Sequence, residues 1–312
     1  MNQFSSQQMV LSTQEIQSCR HKSEKRWYRG LVIINLIIIF AVTAAFFVSL
    51  DDNIKKFNTV IDKFIEEALN PDKEESKSID VEELEKKVPT EVEMFFMIVG
   101  TMLLLPIAVN ILYAQYRSRA IKITERNFPE VYERINLYAN KLGMKKVPEA
   151  YIVQENGVLN AFSAFIIRKQ YVQINADLFE IAYREYGDIE SLSFIIAHEL
   201  SHIKLKHATF AYNFWILISK GIPILGSTAS RAREYSCDRL AQRITENNGL
   251  EAMNVLMVGK HLYKNVDIED YVNHSYEIKG FFVWANNLLS SHPIMPKRIR
   301  ALAMGQGSGE LY

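Results

Sequence analysis

The chain has 312 residues, and 36 Lys and Arg balance 36 Asp and Glu, so its formal net charge is zero. A hydrophobic share of 48% and a charged share of 23% are ordinary globular values, which exclude a nucleic-acid binder driven by basicity, a disordered acidic chain and a collagen-like repeat. Two cysteines, Cys19 and Cys237, are too few for a disulfide scaffold, and the length provides for one or two domains.

Segregation along the chain carries more than these averages. Leu31 to Leu50 is an uncharged apolar run, and as a helix it spans about 30 Å, the thickness of a hydrocarbon core. Met94 to Ala114 is a second uncharged run, with Pro106 inside it. Uncharged runs of this length argue against buried core helices. The first is too long, and too far from the start, for a cleaved signal peptide. Spans are therefore expected at 31–50 and 94–116. Arg20, Lys22, Lys25, Arg26 and Arg29 precede the first, and Arg117, Arg119, Lys122 and Arg126 follow the second. The loop between them, 51–93, holds seven lysines against fourteen acids. The positive-inside rule then puts both termini in the cytoplasm and this loop outside. Phe57, Val60, Ile61, Phe64 and Ile65 give the loop a helical period, the mark of a small helical cap.

From about Ile121 the chain reads as a mainly α unit with a small β-sheet. The segment from Pro129 is an amphipathic helix closed by Gly143. Residues 150–154 and 170–176 are β-rich, with an apolar stretch between them. A long helix is expected from Ile189 to about Thr209. Within it lies Ala-His-Glu-Leu-Ser-His, residues 197–202. His198 and His202 are four apart and fall about 40° apart on one helix face, the spacing at which two imidazoles grip one Zn²⁺. Glu199, about 100° around, is placed to take a proton from an attacking water instead of binding the metal.

A catalytic zinc site needs a third protein ligand and one open position. His207 lies about 180° from His198 on a continuous helix, and residues 203–206 offer no glycine turn, so it is expected to be a structural or helix-end residue. Glu234 is the better candidate, on a second helix over 230–241. Asp238, one turn later, can accept the ring N–H of a ligating histidine. Cys237 lies near that face, but an exposed thiolate ligand would compete with hydrolytic chemistry. A di-iron bundle would need two Glu-x-x-His pairs, and only Glu199 with His202 makes one. Phe210 to Leu225 is apolar, yet a single crossing would put Glu234 across the bilayer from His198. Two crossings need roughly 40 residues, and only 31 separate His202 from Glu234. This segment is expected to be a short helical hairpin, either dipping into the membrane surface or lying in the core.

These residues resemble the M48 metallopeptidases, a family that includes HtpX-type proteases and the CAAX prenyl endopeptidases. The resemblance rests on Asn160-Ala161-Phe162, the 197–202 motif, residues 233–238, and Ser291-His292-Pro293 followed by Arg298 and Ile299, over roughly 125–303. Two spans ahead of the domain are similar to the HtpX arrangement. The resemblance implies an α+β gluzincin-type endopeptidase domain over 117–312 behind a tail at 1–30. His198, His202 and Glu234 would be zinc ligands, Glu199 the general base, and Asp238 a supporting residue sometimes described as a proton donor. Asn160, Ala161 and Phe162 would form the edge strand that pairs with peptide substrate. His292 and Arg298 would lie near the site, the histidine as an oxyanion stabiliser. Three features depart from the pattern. No glycine follows Phe162 closely, the hairpin after the motif is short, and the many spans of the prenyl endopeptidases are missing.

The leading expectation is thus a multi-pass, cytoplasm-facing zinc endopeptidase of the cell membrane, cleaving misfolded membrane proteins or membrane-proximal peptides. Two other classes compete with it. One is a membrane scaffold whose structural zinc is closed by Cys237 or Asp238; the other is a metal-independent anchor working through loop 51–93.

Overall fold

The computed structural model describes residues 10–69, 90–155, 160–166, 169–184 and 186–312. They fall into two compact units, one built from residues 33–109 and the other from 10–32 and 110–312.

In the first unit the apolar runs are helical. Helix α1 is the short Thr13–Ser18 of the other unit; α2 is Glu24–Val48, α3 Leu50–Leu69 and α4 Thr90–Arg119. Helices α2 and α4 are long and apolar enough to cross a membrane. A core helix of a soluble protein would hide its apolar side chains. Here 17% of the apolar window of α2 and none of that of α4 is buried. Phe46 stacks on Phe95 at 4.1 Å between ring centroids, and Phe96 meets Phe46 edge-on. The helical period read in the 51–93 loop is realised in α3, whose first turn carries Asp51 and Asp52. The rest of that loop, 70–89, lies outside the described residues.

The second unit is built on a four-stranded sheet: β1 Ile121–Lys122, β2 Glu149–Val153, β3 Ala161–Ile166 and β4 Lys169–Asn175, in the order β1-β2-β4-β3. Strands β2 and β4 are parallel, with Ile152 opposite Ile174, and the two outer pairs are antiparallel. Ala161 faces Ile174 in the last pair, which leaves β3 at the sheet edge. Helix α5, Pro129–Lys141, buries Val131, Ile135, Tyr138 and Ala139, one stripe at helical spacing. After the short α6, Ala176–Phe179, comes α7, Ile189–Lys204. Asp188 caps it by accepting the Ser191 amide at 2.9 Å, and the Tyr263 hydroxyl donates to the same carboxylate at 3.0 Å. Helix α7 is buried nearly all round, between β3 and β4, α5 and the helix α9 described below.

The long helix expected to reach Thr209 ends five residues earlier. Lys206 adopts a left-handed φ of 67°, and the His207 amide folds back to donate to the His202 carbonyl at 2.9 Å. Thr209 then caps α8, Phe210–Phe214, and a 3₁₀ turn at Ser219–Gly221 leads into α9, Leu225–Thr245. The 210–225 segment is therefore a compact helical hairpin, as its length requires. At Gly226 a side chain would collide with the Lys220 carbonyl, so only glycine lets the hairpin close against the start of α9. Four helices complete the unit: α10 Leu250–Val258, α11 Ile268–Ser275, α12 Phe281–Leu289 and α13 Met295–Met304. Gly249, at φ 78°, abuts the Phe194 ring and sets α10 against α7.

Residues 10–32, mostly within the stretch expected as an N-terminal tail, pack into this unit. Leu31 is buried with Ile216 and Ala229, and Tyr28 stacks on Tyr212 at 4.0 Å. The first turns of α2 are thereby fixed against the hairpin and α9.

Candidate metal centre

Helix periodicity alone brings His198 and His202 together; the packing of α7 along α9 brings Glu234 to them. The two histidine Nε2 atoms are 3.1 Å apart. Glu234 Oε2 lies 3.4 Å from His198 Nε2, and Glu234 Oε1 lies 3.4 Å from His202 Nε2. Donors held at about 2.0–2.1 Å from a tetrahedral zinc stand about 3.3 Å from one another, and here the two nitrogens and a different oxygen of the one carboxylate beside each of them are near that spacing. The three residues form a group that could hold a metal, and all three side chains are largely shielded from solvent.

Charge supports the same fit. Burial disfavours a charged His198, yet the Asp238 and Glu234 carboxylates override it and raise its pKa to about 10. Burial would likewise raise Glu234, but His202 and His198 hold it well below the usual carboxylate range. A pocket that attracts a proton this strongly is negative enough to attract a cation.

His198 Nδ1 donates to Asp238 Oδ1 at 2.9 Å, so that, once a cation displaces the Nε2 proton, the Nε2 lone pair faces Glu234. Asp238 in turn accepts from Arg298 on α13 through Nε at 2.6 Å and Nη2 at 2.7 Å, a bidentate pair. Burial would raise the Asp238 pKa, but the guanidinium lowers it to about 2, so the carboxylate stays ionised. Glu199 is buried on α7 beside His198. His292 is the open member of the group. Its side chain is 65% exposed, and Nε2 stands 3.8 Å from Glu234 Oε2. Asn160 is exposed just before edge strand β3, its carbonyl accepting the Asn175 amide at 2.9 Å, and Ala161 and Phe162 open that strand. Phe162 packs edge-on against Tyr116, and β3 runs beside α7.

His207 occupies a place that a continuous helix would forbid. The left-handed turn at Lys206 swings it back, and its Nδ1 lies 3.2 Å from His202 Nδ1. Its Nε2 donates to Glu24 Oε1 at 3.0 Å. Burial outweighs the Glu24 carboxylate and lowers the His207 pKa to about 4, so the ring is neutral. Cys237 Sγ is 3.6 Å from His207 Nδ1, and burial with the nearby Glu234 and Glu24 charges raises its pKa well above that of a free thiol. Cys237 groups with His202 and His207, in a set that does not include Glu234.

Three residues of this neighbourhood escape sequence reasoning. Glu24 is the single acid between Arg20 and Arg29, a signal hidden by counting the basic flank as a whole. Ser236 donates to Glu24 Oε2 and sits between Glu234 and Asp238 on α9. Arg231, fully buried one turn before Glu234, donates to the carbonyls of Leu288 and Ser290 at 2.8 and 2.7 Å and so pins the segment leading to His292.

Comparison with known proteins accords with this geometry. The model of "Peptidase family M48" matches residues 125–223 and 211–304. A curated protein named "Protease HtpX homolog", from Fusobacterium nucleatum subsp. nucleatum, is 26% identical over 202 residues, covering 58% of this chain and 64% of its own length. The match thus spans slightly less than two thirds of that relative. No solved structure matches. Because the two family matches together take in more than half of the chain, the protein belongs to peptidase family M48.

Proposed function

We propose that the protein is a membrane-anchored zinc endopeptidase, with His198, His202 and Glu234 as ligands and Glu199 as general base. The observation that carries this reading is that two Nε2 atoms 3.1 Å apart each stand 3.4 Å from an oxygen of the Glu234 carboxylate, with both histidines on the helix that also carries Glu199. A zinc held by these three residues would supply a Lewis acid for a peptide carbonyl and lower the pKa of water to about 7. Glu199 takes the proton of the attacking water and passes it to the leaving amine. His292, exposed at the rim, is positioned to donate to the oxygen on which negative charge develops. Asp238 and Arg298 hold His198 in one tautomer; an aspartate this strongly ionised suits that role better than proton donation. Edge strand β3, entered through Asn160, Ala161 and Phe162, offers unpaired backbone to an extended peptide, a mode of low sequence selectivity.

The basic flanks of the two apolar runs support a catalytic unit on the cytoplasmic side. Substrates are then unfolded segments of membrane proteins or membrane-proximal peptides. A closed structural site finds little support: Asp238 is committed to Arg298 and His198, and Cys237 lies on the His207 side. Proteolysis of an unfolded model protein by the wild-type chain, abolished by chelator and by Glu199→Gln, is the expected result. Equal cleavage by the Glu199→Gln variant would overturn the mechanism.

A further inference from the structure

His198 and His202 both turn Nε2 toward Glu234, so both need their other ring nitrogen held. For His198 that is done by Asp238, directly. The sequence offers no such acid for His202, and its Nδ1 faces another imidazole instead.

The protons in this arrangement can be assigned from the hydrogen bonds. If His202 Nε2 keeps its lone pair for a metal, Nδ1 of the neutral ring carries the hydrogen. His207 Nδ1, 3.2 Å away, must then accept. A neutral His207 that accepts at Nδ1 donates at Nε2, and Glu24 Oε1 is there at 3.0 Å. Every atom in the chain is satisfied in one direction, ending on a carboxylate.

Glu24 is itself held. Arg20 Nη2 reaches Oε1 at 3.0 Å and also donates to the Leu205 carbonyl at the end of α7. Ser236 donates to Oε2 and accepts the His21 amide at 2.8 Å. The carboxylate is 3% exposed. A glutamate so buried among donors from the turn after α7, from α9 and from its own segment is a fixed acceptor.

We propose that Glu24, acting through His207, is the carboxylate partner that orients His202, so that the segment opening the first apolar helix is part of the metal site. Glu24 and His207 are positioning residues. The inference rests on the zinc-site reading above. It also means that a chain cut after the membrane helices would lack one of the two supports of its metal.

The experiment uses the full chain in detergent, with zinc affinity measured by chelator competition and Co²⁺ absorption as a probe of ligand geometry. Loss of an outer partner of a metal ligand typically costs 10–100-fold in metal affinity. His207→Leu, which removes the acceptor, is expected to weaken zinc by that amount and to shift the Co²⁺ bands. Glu24→Gln keeps the shape but not the charge, and is expected to lose about tenfold, the lower end of that range. His207→Gln, whose amide oxygen can still accept, is expected to fall between wild type and the Leu variant. Should His207→Leu fail to fold, Glu24→Gln and His207→Gln carry the test by themselves. Wild-type affinity and an unchanged Co²⁺ spectrum in Glu24→Gln and His207→Leu would overturn the proposal. So would two metal equivalents per wild-type chain falling to one in His207→Leu, because His207 and Cys237 would then be ligands of a second ion. His198→Ala separates the two levels. If it binds zinc as wild type does, the zinc-site reading itself fails and takes the proposal with it; if it loses zinc, the outcomes above concern the relay alone.

Discussion

The two histidines of the 197–202 motif are chemically alike and four residues apart, yet their surroundings differ in kind. His198 rests on a direct ion pair, Asp238 with Arg298, drawn from α9 and α13. His202 rests on a second neutral imidazole that ends on Glu24, at the start of α2. One side is a compact charged cluster near the C-terminal end of the fold. The other is a longer chain of hydrogen bonds that reaches the N-terminal segment. The contrast teaches that two equivalent candidate ligands can be steadied by different physics, and that the two supports should fail under different conditions.

The largest expected effect is on the His198 side. Arg298→Met removes one member of a buried pair and leaves Asp238 ionised without its guanidinium. Breaking such a pair by removing one partner costs ~3–5 kcal/mol. Chemical denaturation of the zinc-free protein should show a loss of that size, and a loss below ~1 kcal/mol would mean the cluster is more hydrated than its burial implies.

How much of this was legible from the residues follows the same divide. His198, His202, Glu234 and Asp238 lie on two helices whose period can be read locally, and periodicity brings each pair onto one face. The apolar runs of α2 and α4, the amphipathic α5 and the hairpin at 210–225 were legible for the same reason, since each depends on neighbours within a turn or two. What was hidden depends on a turn and on distance. Lys206 takes a left-handed conformation that a lysine does not advertise, so local periodicity alone continues the helix and turns His207 away from His198. Glu24 and His207 are 183 positions apart, and nothing local couples them. Summing the N-terminal charges reads these residues as a tail, whereas Glu24, the one acid between Arg20 and Arg29, packs inside.

Acidification should separate the two sides. His207 has a folded pKa of about 4, set by burial against the pull of Glu24 and in company with His202, Arg233, Arg20 and the Cys237 thiol. An unfolded histidine titrates near ~6.5. A lowered histidine pKa means the unfolded chain takes up the proton first, so stability falls as pH drops from about 6.5 toward about 4. Asp238 behaves oppositely in cause and later in pH. Its folded pKa of about 2 lies below the ordinary carboxylate value, so its contribution is intact above that value and lost only as pH falls toward about 2. Stability of the zinc-free protein, measured by denaturant titration at successive pH values, should therefore decline in two steps, the His202 side first. His207→Leu should flatten the upper step and leave the lower one. An upper step that persists in that variant would assign it to another group.

The smallest effect tests whether Glu24 is held as firmly as the comparison requires. Ser236→Ala deletes a hydroxyl that donates to Glu24 Oε2 and accepts the His21 amide, leaving the buried Glu24 oxygen and the amide each one partner short. Unsatisfied buried groups cost about 1–3 kcal/mol, less than a broken buried ion pair. Glu24 Oε1 keeps both His207 and Arg20 in this variant, so His202 should hold its orientation. The expected outcome is thus a lower denaturation midpoint with zinc affinity changed by less than in Glu24→Gln. If Ser236→Ala weakened zinc as much as Glu24→Gln does, the second oxygen of Glu24 would matter as much as the first. The support of His202 would then run through the whole packed segment 20–24, more than through one line of hydrogen bonds.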